Sequence, residues 1–338
     1  MSSFDYFHQE FATSMQPFLP STLFKNPHIQ SICASTGPRK LLVRRRASAL
    51  MRASSTIVLD CDQGIRLQGE YSPQPNSSKG LVIMIHGWLG CNDSLYLLSL
   101  GATLFAEGYT IFRLNLRDHG DSAHLNQGLF NSTRLEEVVN AVRAIQQQFP
   151  HDNNYLCGFS LGGNFSLRVA AQAPDNNIRL NKVVAVCPVI NPSKTNRNLN
   201  EGPIIYHHYF RNKWRRSLLK KLDHFPDYDY REKLSLFKTL DEMNHYFVPN
   251  HTEYDTVEDY LQGYSIGGDY LAELQIPCHI VSSEDDPVIM AEDLQELPDN
   301  KNLHIEVTRF GGHCGFIEGF NLNSWINPRI AEIIAQST

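Results

Sequence analysis

The spacing of apolar positions changes in a regular order along the chain. Thr56 to Asp60 is rich in β-branched residues and Ile65 to Tyr71 alternates, with Asp62-Gln63-Gly64 between them as a hairpin turn. Leu81 to Ile85 is a continuous apolar run, the mark of a strand buried on both faces, and Tyr109 to Leu114 reads as a second buried strand. Between them, Leu95 to Ala106 reads as a helix with Gly108 at its C-terminal cap. Ser132 to Phe149 has apolar residues at 135, 138, 139, 142 and 145, a helical period, with Ser132 as a candidate cap and Pro150 past its end. A third strand, Tyr155 to Phe159, runs directly into a helix, Leu161 to Ala173, and Val183 to Val186 is a fourth strand. The rhythm then stops from about Asn191 to Leu274, where helical pieces lie near Tyr206 to Leu222, Asp241 to Phe247 and Thr256 to Tyr264. It resumes with strands at His279 to Ser282 and Leu303 to Val307 and ends on a helix, Ile326 to Ala335.

Alternating strands and helices predict an α/β fold: a mostly parallel central sheet with helices on both faces and functional loops at the carboxyl ends of its strands. The core is expected at 56–192 and 273–338, with a helical cap or lid at 193–272 inserted into it. Residues 1–55 read as an irregular extension packed on the core, because Pro17, Pro20, Pro27 and Pro38 interrupt it.

Composition narrows the partners. The 338 residues are 42% hydrophobic and 20% charged, which argues against disorder, and the net charge of −6 gives no general attraction to nucleic acid or anionic lipid. Arg44-Arg45-Arg46 then reads as a solvated basic patch. Seven cysteines without a CxxC indicate neither a disulfide framework nor a zinc site. Met1 to Glu10 lacks the pattern of a signal peptide, and no apolar run reaches the roughly 20 residues needed to cross a bilayer. A cytoplasmic setting is the expectation, and the oligomeric state stays open.

The sharpest chemical feature is Gly158-Phe159-Ser160-Leu161-Gly162-Gly163, at the junction of a predicted strand and a predicted helix. That is the context a G-x-S-x-G nucleophile elbow requires, and it makes Ser160 the candidate nucleophile. A serine hydroxyl needs a base. His313, in Gly311-Gly312-His313-Cys314-Gly315, falls after the last predicted strand and is the candidate. His279 and His304 lie within strands, and the histidines of 193–272 read as surface or packing residues. Ser282-Ser283-Glu284-Asp285-Asp286-Pro287 supplies the acid that would orient His313; Asp286, just before Pro287, is preferred, with Asp285 the alternative. The oxyanion donors would be the backbone amides of Leu161 and of Trp88, the latter in His86-Gly87-Trp88-Leu89-Gly90. His86 and Gly87 would support that loop, and Arg117-Asp118-His119-Gly120-Asp121-Ser122 would buttress the site.

The motifs HGWLG, RDHGDS, GFSLGG, SSEDDP and GGHCGF, in that order, resemble those of the α/β-hydrolases. More narrowly the chain resembles the YheT-like subfamily, related to the ABHD-type esterases, through LPSTLFKNPHIQSI at 19–32, GFSLGGN at 158–164, DDP, GGHCGF at 311–316 and YDTVEDYLQGYS at 254–265. The loop at 117–122 departs from the Arg-Gly-Cys type frequent there. The resemblance implies an α/β-hydrolase fold and hydrolysis of a small-molecule carboxylic ester, including lipid-like acyl esters, with no cofactor and no metal. Acyl transfer, thioester cleavage or aminopeptidase chemistry could use the same triad, and a non-catalytic binding protein on this scaffold is a further alternative. Tyr206, Tyr209, Phe210 and Trp214 are candidates to line an acyl pocket.

Overall fold

A computed structural model describes residues 16–37 and 39–336. The strands are β1 (Ser55–Asp60), β2 (Arg66–Ser72), β3 (Leu81–Ile85), β4 (Thr110–Asn115), β5 (Asn154–Phe159), β6 (Lys182–Val186), β7 (Cys278–Ser283) and β8 (Leu303–Thr308). They form one sheet in the order β1-β2-β4-β3-β5-β6-β7-β8. β2 pairs antiparallel with both β1 and β4, and every later pairing is parallel. Every residue of β3, β4, β5 and β6 is buried; β3 is apolar throughout, as burial on both faces favours, while Thr110, Arg113, Asn115, Asn154 and Lys182 are buried polar residues of the other three.

The helices are α1 (Pro27–Ser35), α2 (Arg39–Arg46), α3 (Ser48–Ala53), α4 (Leu95–Ala106), α5 (Leu135–Gln148), α6 (Leu161–Gln172), α7 (Pro192–Glu201), α8 (Ile204–His224), α9 (Leu240–His251), α10 (Val257–Gln262) and α11 (Ile326–Ala335). The period of two in β3 sorts them into two layers. Leu81, Ile83 and Ile85 pack with residues of α5 and α6; Val82 and Met84 pack with residues of α2, α3, α4 and α11. Helices α7 to α10 follow β6 and precede β7, the place of the predicted helical insertion. No helix among the described residues is long and apolar enough to cross a membrane.

The lead-in read as irregular instead carries three helices, α1 (Pro27–Ser35), α2 (Arg39–Arg46) and α3 (Ser48–Ala53). Pro27 does not break structure there; it opens α1 at a position where its missing N–H costs nothing, and the Asn26 side chain caps His28 and Ile29. The buried Arg39 side chain fixes α2 by donating to the carbonyls of Ala34 and Leu322. Arg44 to Arg46 are exposed, Arg44 lying 3.7 Å from Asp93. The readings of Met1 to Glu10 and of Pro38 fall outside the described residues. Ser132 does not cap α5; its amide donates to Tyr260 Oη and its carbonyl accepts from Arg168.

Helix α8 is tied to the loop after β4 by a buried ion pair. Lys221 Nζ of α8 lies 2.7 Å from Asp118 Oδ1, and it also donates to the Ala123 and Asn126 carbonyls. Burial pushes Asp118 up and Lys221 down, and each charge opposes the other's shift. Removing one partner leaves a buried charge unpaired, which costs about 3–5 kcal/mol. Lys221→Met is therefore expected to lower the unfolding free energy by about that much, read by denaturant titration. A loss below about 1 kcal/mol would show that the pair carries little stability.

Candidate active site

Strand β5 hands the chain to α6 through Ser160, whose φ of 55° and ψ of −121° lie where a non-glycine residue is strained. Its amide still donates to Val186 O, continuing the ladder to β6. The flanking glycines are sterically required. A Cβ on Gly158 would sit 2.1 Å from Gly162 O, and one on Gly162 would sit 2.4 Å from Ile85 O. Ser160 is thus lifted to the sheet's carboxyl edge at the N-terminus of a helix, where positive potential gathers.

Two loops from β7 and β8 bring the other residues in. His313 Nε2 lies 3.0 Å from Ser160 Oγ, and His313 Nδ1 lies 2.8 Å from Asp286 Oδ2. The second Asp286 oxygen accepts from the amides of Val288 and Ile289, so the carboxylate is held at both ends. Asp285 faces elsewhere and accepts from the Gly312 amide at 2.8 Å. Burial works to lower the pKa of His313, but the Asp286 carboxylate and Cys314 outweigh it and hold the imidazole well above its ordinary range.

The loop after β3 is built from satisfied amides. Gly87 donates to Tyr96 Oη, Leu89 to His119 Nε2, Gly90 to Gly87 O, Cys91 to Ser94 Oγ and Asn92 to Asn115 Oδ1. The Trp88 amide between them has no acceptor among the described residues. The Leu161 amide, first in α6, has no earlier helical turn to bond to. His86 is fully buried: its Nε2 accepts from Leu116 and its Nδ1 donates to Gly87 O. Burial drives its pKa well below the ordinary range, so it is a neutral strut. His119 does the same from the facing loop, its pKa pulled to about 4 by burial.

The buttressing expected of the loop Arg117 to Ser122 is carried in part by His119, which holds the Leu89 amide beside Trp88. The contribution of α1 was not expected from the sequence. Ser31 Oγ accepts from the His313 amide at 2.8 Å, and the buried Gln30 side chain exchanges hydrogen bonds with the backbone of Ile317. Gly312 and Gly315 let the histidine loop press directly on α1, since a Cβ on either would sit within 2.7 Å of the Pro27 or Gln30 carbonyl oxygen. One group of side chains among the described residues could take a metal ion: Cys187, His313 and Cys314, with ligand atoms within 4.8 Å of one another. Both ring nitrogens of His313 already face Asp286 or Ser160, so an ion there would displace one of them.

Residues 80–320 match the family described as alpha/beta hydrolase fold. The chain belongs to the α/β-hydrolase family. It is 23% identical to the "Putative esterase YheT" of Escherichia coli (strain K12), over 96% of this chain and 94% of that protein. It is 22% identical to the "Embryogenesis-associated protein EMB8" of Picea glauca, over 94% of this chain and 72% of that one. These likenesses support the YheT-like subfamily. Among solved structures, the Pyrococcus furiosus esterase Pf2001 shares the fold with a TM-score of 0.55 at 15% identity, covering 83% of this chain and 87% of that chain.

Proposed function

We propose that this α/β-hydrolase is a serine esterase that cleaves carboxylic esters through an acyl-enzyme. The observation that carries the reading is the unbroken hydrogen-bonded chain Ser160 Oγ, His313, Asp286. Neutral His313 takes the Ser160 proton as Oγ attacks the acyl carbon, and Asp286 holds the tautomer and balances the imidazolium. The oxyanion forms against the amides of Leu161 and Trp88, each worth about 10²–10³ in rate. His313 then gives its proton to the departing alkoxide. A water, deprotonated by His313 in turn, releases the acid and restores Ser160. Nothing in this sequence of steps calls for a cofactor. The esterase names carried by relatives and by the shared fold put esters ahead of thioesters and amides.

Helices α7 to α10 serve as the cap. Tyr206, Tyr209 and Phe210 of α8 line a cavity of about 500 Å³ that opens on Ser160 and His313. The test is reaction of the purified protein with a fluorophosphonate, followed by mass spectrometry. A single adduct on Ser160, with hydrolysis of p-nitrophenyl butyrate lost in proportion, is expected. A folded protein that takes no label at Ser160 would overturn the reading.

A further inference from the structure

Two cavities meet at Ser160. The larger, about 500 Å³, is lined by His313, Ser31, Lys40 and Tyr209 among others. The smaller, about 100 Å³, is lined by Leu161, Phe130, Val189, Trp214 and Tyr264 among others. Ser160, Trp88, Phe210 and Val288 border both. The Trp88 and Phe210 rings stack at 5.6 Å and 8° from parallel, and Trp214 meets Trp88 edge-on at 5.4 Å. The partition is therefore a packed aromatic wall with the serine at its foot.

We infer that this wall divides the substrate, with a short acyl group in the small cavity and a larger alcohol in the large one. The inference rests on the esterase reading above. Its ground is the direction of the proton. When the acyl–oxygen bond breaks, the alkoxide oxygen takes the proton from His313 Nε2, so the alcohol half must lie on the side that His313 borders. His313 lines the large cavity and does not line the small one. The remaining substituent of the acyl carbon then points toward Leu161 and Trp214. At roughly 30 Å³ per water-sized group, the small cavity admits an acyl chain of about three or four carbons. The substrate class is accordingly a short-chain acyl ester of a bulky alcohol, and the four aromatic residues expected to form one acyl pocket separate: Tyr206 and Tyr209 face the alcohol, Trp214 faces the acyl group, and Phe210 stands between.

The test is kcat/KM on p-nitrophenyl acetate, butyrate, octanoate and dodecanoate, with the wild type and with Trp214→Ala, a half-buried position that borders only the small cavity. In the wild type, butyrate is expected to exceed octanoate by at least about tenfold, the discrimination a tight apolar pocket gives. Trp214→Ala is expected to close that gap by raising octanoate. A wild type that prefers octanoate or dodecanoate would overturn the division while leaving ester hydrolysis standing. A folded Trp214→Ala with an unchanged octanoate-to-butyrate ratio would overturn it equally. Absence of Ser160-dependent hydrolysis on every ester would overturn the esterase reading, and the division with it.

Discussion

Ser160→Ala is expected to lower kcat on p-nitrophenyl butyrate by about 10⁴–10⁶, the scale on which removing the nucleophile of a triad acts. The reason for choosing alanine is local. The Ser160 backbone sits at a φ of 55° whatever its side chain, and alanine keeps the Cβ that already fits there. Gly87, whose own Cβ would stand 3.1 Å from Ser160 Cβ, meets no new atom. The melting temperature and circular dichroism should therefore match the wild type, and fluorophosphonate labelling should vanish. A folded variant that keeps more than about 1% of wild-type kcat would move the nucleophile elsewhere.

The second large effect falls on the acid. Asp286→Asn is expected to lower kcat by about 10⁴, because an amide facing His313 Nδ1 favours the wrong tautomer and cannot balance the imidazolium. Asp285→Asn is the control: that carboxylate reaches the Gly312 amide, not the imidazole, so its loss should act on loop stability and leave kcat within about tenfold. The pH profile separates the two further. Catalysis needs neutral His313, so kcat/KM rises as pH climbs through its pKa. Asp286 is the larger of the two groups that hold that pKa up against burial, Cys314 being the other. In Asp286→Asn that support is lost, the pKa falls, and the acid limb of the profile moves to lower pH. An acid limb that stays in place for Asp286→Asn but moves for Asp285→Asn would exchange their roles.

The central strands were legible because burial on both faces favours apolar side chains, and Leu81 to Ile85 is apolar without a break. The elbow was legible for a related reason: strand, serine and helix follow without a gap, and Gly158 and Gly162 stand where no Cβ fits. Helices α2 and α7 were not legible. In α2 only Arg39 and Val43 are buried, and in α7 only Pro192 and Thr195, so neither carries an apolar stripe to read. Their support comes from a buried guanidinium in one and an Asn191 cap in the other. The preference for Asp286 rested on Pro287 alone. What separates the two acids in space is which way the loop after β7 turns each carboxylate, and adjacent acids carry no trace of that. The loop Arg117 to Ser122 was legible as a buttress, but not which of its side chains reaches Leu89, because that bond joins two loops 30 residues apart.

The seating of His313 on α1 has a consequence for how the protein is made. The hydrogen bond from the His313 amide to Ser31 spans 282 residues, joining the beginning of the described chain to its last loop. During synthesis the elbow, the Trp88 loop and the cap all leave the ribosome before the histidine does, and domains begin to fold as they emerge. The nascent chain can thus acquire the strained turn at Ser160 while His313 is not yet in place. Under the proposed reading, the triad would be complete only once the loop after β8 has seated on α1, and until then Ser160 would have no base.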